Sequence, residues 1–280
     1  MVPRVPGLRA RVAPGPLLAS LLAFLAGCAG APSADEVAAW RAAGRSPPEA
    51  VLAQPAEVDS LRGAGRLEEA RGQALAQLAR APGDPQLLWR ASRAESDLLV
   101  LLAARSAPRE ERDLAATSAA LYAREAAAQG GEDPALQGQL AWALGATVHL
   151  RPMLARGEQA QEVWQAAHTA LRGDPDQATA SAALATLHLR LATLPWIARL
   201  FAGDAPEGDL AEAERLARRS QALEPGLEPA LLLARVLRAR ERPEEALAVL
   251  ERALAASDLA PRDAPLRGAC LALADELREE

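Results

Sequence analysis

The stretch GLEPALLLARVLRARERPEEALAVLERALA, residues 226–255, reads as two helices folded back on each other. Leu233, Ala234 and Leu237 on the first segment, and Ala246, Leu250 and Ala253 on the second, recur at helical spacing, so each segment carries an apolar stripe. Arg242-Pro243 breaks the run between them, because proline lacks the N–H that a helix interior needs. Small side chains at Ala234 and Ala246 let two antiparallel helices approach closely, while the larger residues pack on a neighbouring pair. The opening Glu228-Pro229 has counterparts at Asp84-Pro85, Asp133-Pro134 and Asp174-Pro175, at intervals of 49, 41 and 54 residues. In each, the acid is expected to cap free backbone N–H groups, and the proline sits in the first turn, where its missing donor costs nothing.

Further breaks at Pro108, Gly130-Gly131, Gly157, Gly173, Gly203 to Gly208, Pro225-Gly226 and Pro261 separate Ala/Leu-rich segments. One of these, from Gln86, places Leu87, Leu88, Ala91, Ala94, Leu98, Leu101 and Leu102 on one stripe and predicts a helix ending near Arg105. No β-branched run of period two occurs, so the chain is all-α. The offsets of Leu233, Ala234, Leu237, Ala246, Leu250 and Ala253 resemble those of a tetratricopeptide repeat. Gly65 to Ala70 with Pro82, and Gly208 with Ala213 and Pro225, echo the second half of the same repeat. The expected fold is a tetratricopeptide-like α-solenoid of about five helix hairpins plus a C-terminal capping helix, over residues 60–280.

The first 27 residues carry Arg4, Arg9 and Arg11 and no acid, followed by an apolar core from Leu17 to Ala26 that is too short to span a bilayer of roughly 30 Å. They read as a secretory signal peptide. The run ends Leu25-Ala26-Gly27-Cys28, which resembles the lipobox of bacterial lipoproteins. That resemblance implies cleavage before a lipidated Cys28, whose acyl chains would hold the protein on a membrane. Residues 28–59, with the Pro-rich stretch from Pro47 to Pro55, would form the anchored linker. Ala29-Gly30 lacks the aspartate that often retains such lipoproteins at the inner membrane, so the expected location is the periplasmic face of the outer membrane. Cys270 is then the remaining thiol, on the apolar face of a predicted helix, where burial as a small hydrophobe is expected.

Removing the 27 residues leaves 253 with 28 basic and 37 acidic groups, a formal charge of −9. An acidic chain has no net field with which to displace counterions from phosphates, which disfavours nucleic acid as a partner. Half of the residues are hydrophobic and two are cysteines, which disfavours a disordered chain and a disulfide scaffold as classes. His149, His168 and His188 each lie in an apolar helical context without a His-x-x-x-His pair, and read as solitary core or groove histidines. The pairs Glu68-Glu69, Glu110-Glu111 and Glu244-Glu245 fall at helix starts, where the positive end of the helix dipole accounts for them. Gly63-Ala64-Gly65 lacks the strand and lysine of a phosphate loop, and no serine sits in a nucleophile elbow. No enzyme, cofactor or metal site is expected.

Two stretches go beyond repeat spacing: Leu88-Trp89-Arg90-Ala91-Ser92-Arg93-Ala94, and the irregular Leu194-Pro195-Trp196-Ile197-Ala198-Arg199-Leu200-Phe201. With Glu212-Ala213, Glu224-Pro225 and Leu231-Leu232-Leu233, their order resembles the regulator of microtubule dynamics family over roughly residues 60–278. The chain departs from that pattern at Ala234, Arg235 and Leu237, where the family usually has Gly-Lys and Tyr. The resemblance implies a tetratricopeptide-like domain; the family's eukaryotic members are associated with microtubules, membrane contacts and phospholipids, and a bacterial lipoprotein has no microtubule within reach. A weaker similarity is to the lipoprotein T component of tripartite periplasmic transporters. Trp142 and Trp164 are expected to fill the core, whereas Trp196, interrupted by Pro195, would fold as a flap over one end of the groove. The groove candidates are Trp89, His188, Trp196 and Phe201. The expected function is a membrane-anchored scaffold that binds a protein segment or apolar ligand in its concave groove; the alternative is a transporter accessory subunit or lipid carrier with an enclosed cavity of Leu and Trp.

Overall fold

The computed structural model describes residues 55–152, 155–195, 205–256 and 259–280. The stretch expected to be a signal peptide, the expected lipidation site Cys28, Trp40, Trp196 and Phe201 lie outside the described residues. Among the described residues the structure has eleven α-helices and no strand. They are α1 (Pro55–Gly63), α2 (Leu67–Arg80), α3 (Pro85–Ala104), α4 (Arg109–Gly130), α5 (Pro134–Thr147), α6 (Arg156–Gly173), α7 (Ala178–Ala192), α8 (Leu210–Leu223), α9 (Leu227–Ala239), α10 (Pro243–Ala255) and α11 (Arg267–Glu279). Short 3-10 turns occupy Val148–Leu150 and Pro261–Leu266. None of these helices is long and apolar enough to cross a membrane.

Consecutive helices pack as five hairpins, α1/α2, α3/α4, α5/α6, α7/α8 and α9/α10, and α11 packs on α10 at the end of the stack. This is the expected all-α solenoid. The first helices of successive hairpins touch one another (α1 with α3, α3 with α5, α5 with α7, α7 with α9), whereas the second helices make no comparable contact. The first helices therefore form the tighter, inner layer of a curved stack. Alanine makes the close approach possible. Ala91, Ala141, Ala185 and Ala234 on inner helices, and Ala167 and Ala246 on outer ones, are completely buried.

Asp84 and Asp133 cap α3 and α5 as expected. The Asp84 carboxylate accepts from the N–H groups of Gln86 (2.8 Å) and Leu87 (3.1 Å), and Asp133 accepts from Ala135 (2.9 Å) and Leu136 (3.2 Å). The other two openings are corrected by the structure. After Asp174-Pro175 the chain makes a further turn, and α7 starts at Ala178 with Gln177 as its cap, the amide oxygen accepting from Thr179 (2.8 Å) and Ala180 (3.2 Å). Glu228 does not cap α9, which already begins at Leu227. The acceptor there is Asp263, a residue far along the chain.

Neighbouring hairpins are also joined by buried polar contacts. The Ser92 hydroxyl donates to the Ala119 carbonyl (2.8 Å), and the Gln139 amide donates to Ser92 (3.0 Å) and Ser96 (3.1 Å), tying α3, α4 and α5 together. Buried Glu95 accepts from Arg71 at 2.8 Å. At the other end Glu214 accepts from Arg218 (2.8 Å), Arg242 (2.8 Å) and Arg240, fixing α8 to the turn between α9 and α10. Each such contact fixes a register that alanine packing alone leaves degenerate.

Candidate functional site

The inner layer closes on itself. The turn Pro261–Leu266 contacts α1 and α3 as well as α9 and α11, so the C-terminal segment bridges the last hairpin to the first two. Two backbone features accommodate it. Gly65, between α1 and α2, has φ +73°, a left-handed conformation that glycine adopts readily. A Cβ on Gly65 would stand 2.8 Å from the carbonyl carbon and oxygen of Pro261. At the other side Gly226 faces Asp263, where a Cβ would lie 2.7 Å from the carboxylate oxygen. The same oxygen accepts from the Leu227 N–H at 3.1 Å and so supplies the α9 cap.

Beside Gly226 and Asp263 lies a cavity of about 50 Å³ whose lining includes the charged groups Arg62, Asp97, Glu224, Glu228, Arg262 and Asp263. Arg62 and Asp97 pair through two hydrogen bonds, 2.5 and 3.1 Å long. Arg262 approaches Asp263 at 3.9 Å. Glu228 is half-buried, and desolvation, with Asp97 and Asp263 beside it, pushes its carboxyl up to about 7 against the attraction of Arg62 and Arg262. A second space, of about 470 Å³, is lined by Leu233, Val249, Ala253 and Leu259 together with Arg218 and Arg252. Pro225 and Gly226 line both spaces, so the turn before α9 stands between them.

Farther along the inner layer, exposed Arg190 at the end of α7 donates to the Gly145 carbonyl of α5 (2.7 Å). Desolvation by the surrounding protein, and then the like charge of exposed Arg235 on α9, hold the Arg190 guanidinium below its ordinary value. The free side of two successive inner helices, α7 and α9, thus presents guanidinium groups.

Of the four groove candidates, Trp89 and His188 are described, and they lie on different hairpins. Trp89, half-buried on α3, packs against the satellite cluster of Leu78, Leu88, Ala91, Ala126 and Leu136. Arg90 and Arg93 lie over its ring at 5.3 and 5.1 Å. His188 is on α7, where its Nδ1 accepts at 3.3 Å from the N–H of Asp209, the residue that caps α8. Trp142 and Trp164, expected to fill the core, are half-buried and pack against it from its edge.

The histidines are not solitary in the way the sequence suggests. His149 sits in the exposed turn after α5, with its Nε2 3.1 Å from Asp113. The His168 ring packs against Trp164 at a tilt of 52°, with centroids 4.0 Å apart. Burial, then Arg172 and His188, lower the His168 pKa. Among the described residues no group of His, Cys, Asp and Glu is arranged to hold a metal ion.

Cys270 is fully buried on α11, 3.9 Å from the Leu227 carbonyl, and burial pushes its thiol up to about 11. Glu68-Glu69, Glu110-Glu111 and Glu244-Glu245 occupy the first turns of α2, α4 and α10. Sequence reasoning missed the Asp97, Glu228 and Asp263 cluster altogether. The available signal was the tripeptide Arg262-Asp263-Ala264 between two prolines, a polar insert just before an apolar helix.

A sequence model of the family described as "Regulator of microtubule dynamics protein 1-3" matches residues 55–278. No curated protein matches the chain. Among solved structures, the chain is similar to the crystal structure of a thermophilic TPR protein from Thermus thermophilus. The TM-score is 0.53 at 18% identity, over 80% of this chain and 97% of that one. At that identity the likeness concerns the fold.

Proposed function

We propose that this chain, which belongs to the regulator of microtubule dynamics family, is a non-enzymatic scaffold held on a bacterial envelope membrane, with its inner face binding a segment of another protein. The observation that carries this reading is the inner layer itself: helices side by side, with Arg190 and Arg235 exposed on their free side. Such a surface offers charged hydrogen-bond donors to a passing chain. The run Leu25-Ala26-Gly27-Cys28 supports the anchor, and Ala29-Gly30 supports the periplasmic face of the outer membrane. Microtubule binding, taken from the family's name, is not part of the reading.

The carrier alternative draws on the space of about 470 Å³ beside α10, which falls within the roughly 300–1,000 Å³ usual for small-molecule pockets. The charged cavity of about 50 Å³ does not accommodate an acyl chain. A photo-crosslinking amino acid placed at Arg190 or Arg235 in intact cells should give a discrete protein adduct, and the same probe at outward-facing Glu125 should not. Co-purified lipid in native mass spectra, without inner-face protein adducts, would favour the carrier.

Anchoring has its own test. The Cys28→Ala chain should be released from membranes or remain an unprocessed precursor. Mature, membrane-bound Cys28→Ala protein would refute the lipid anchor.

A further inference from the structure

We propose that the turn Pro261–Leu266 is a latch that fastens the last hairpin to the first across the open side of the solenoid, and that deprotonation of Glu228 releases it.

The geometry identifies the latch. Pro261 seats on Gly65, where only a residue without a side chain leaves room, and Asp263 caps α9 from a distance of 36 residues. The turn touches α1, α3 and α9, and Asp263, Arg262 and Leu266 on it line the small cavity together with Arg62 of α1, Asp97 of α3 and Glu228 of α9, so it fastens α1 and α3 to α9. In a solenoid where each hairpin otherwise touches its neighbours alone, such a contact couples the ends.

Glu228 is the group whose charge the closed cavity accommodates worst. Around it stand Arg62 on α1, Asp97 on α3, Glu224 in the turn before α9, and Arg262 with Asp263 on the latch, and Arg93 on α3 joins the cluster through Arg62, Asp97, Glu224 and Arg262. Asp97 already engages Arg62 through both of its oxygens, and Arg262 leans on Asp263. With Glu228 ionised, the cluster holds four carboxylates (Asp97, Glu224, Glu228 and Asp263) against three guanidinium groups (Arg62, Arg93 and Arg262). With Glu228 protonated the charges balance.

Once the latch lifts, Glu228 is solvated and its pKa returns toward the ordinary 4.5 from about 7. Between these values the closed form holds a proton that the open form releases. Closure is therefore strongest at the acid end of this window and is lost as pH rises through about 7. These two values correspond to an opening equilibrium about tenfold larger at pH 8.5 than at pH 6.

Hydrogen exchange of the intact protein, expressed as protection factors so that the intrinsic pH dependence divides out, tests this directly. Over residues 259–269 protection is expected to fall about tenfold from pH 6 to pH 8.5, while residues 156–173 of α6 keep theirs. In Glu228→Gln, which keeps the shape and removes the charge, protection should stay high at both pH values. Asp263→Ala should lower it at both. Equal protection at the two pH values in the native chain would overturn the proposal. So would the same fall in Glu228→Gln, or a fall shared equally by α6, which would be global unfolding.

Discussion

Substituting alanine for Gly208 should destabilise the protein by roughly 3 kcal/mol or more, seen as a lower urea midpoint with an unchanged slope. A Cβ at this position would stand 2.1 Å from the Ala192 nitrogen, 2.5 Å from the Leu191 carbonyl carbon and 2.7 Å from the Ala192 Cα. All three atoms are backbone at the end of α7, so no rotamer can relieve the overlap. The next residue, Asp209, caps α8 by accepting from Ala211 (2.7 Å) and Glu212 (3.2 Å), and it holds His188 through its own N–H. Pushing residue 208 away would therefore pull the start of α8 off the end of α7 and open the fourth hairpin. A loss below about 1 kcal/mol, the size of an ordinary surface effect, would mean that the chain does not pass α7 this closely.

The second large effect is expected at the alanine seam. Ala234 and Ala246 are both completely buried on helices that pack as one hairpin, and Leu233, Val236 and Leu237 fill the space around them. Ala234→Leu adds three carbons where the helices are closest, and cores at native density absorb such volume only by moving backbone. A loss of about 3 kcal/mol is expected, or roughly 6–12 °C in Tm for a domain of this size. The same substitution at exposed Ala256 after α10 should change stability by less than about 0.5 kcal/mol. Equal tolerance at both positions would contradict close packing at the seam.

What could be read from the sequence was local. Asp84-Pro85 and Asp133-Pro134 announce α3 and α5 because a cap and its N–H partners lie within three residues of each other. The alanine stripes announce hairpins because helical periodicity is a property of one segment at a time. Glu228-Pro229 carries the same signature and means something else, because the cap of α9 comes from Asp263. Nothing near Glu228 could reveal that a later segment would supply the carboxylate and leave the glutamate in a charged cavity. Asp174-Pro175 failed for a related reason: Gln177, whose side chain also reaches its own helix, displaced the start of α7 by one turn. Gly65 had no legible purpose until the curvature of the stack delivered Pro261 to it. Trp89 was recognisable as a family signature, but the arginines over its ring and the cluster beneath it place it in packing between hairpins.

The central claim is that the helical stack is closed, with its C-terminal turn fastened to its first hairpin. Its most direct test is hydrogen exchange at α1 and the following turn, residues 55–66, in the native chain and in Asp263→Ala. A closed solenoid predicts that protection falls there as well as at residues 224–230, although residues 55–66 are nearly 200 positions from the substitution. If the loss stays within α9 to α11 and residues 55–66 exchange as before, the stack is open and couples only neighbour to neighbour.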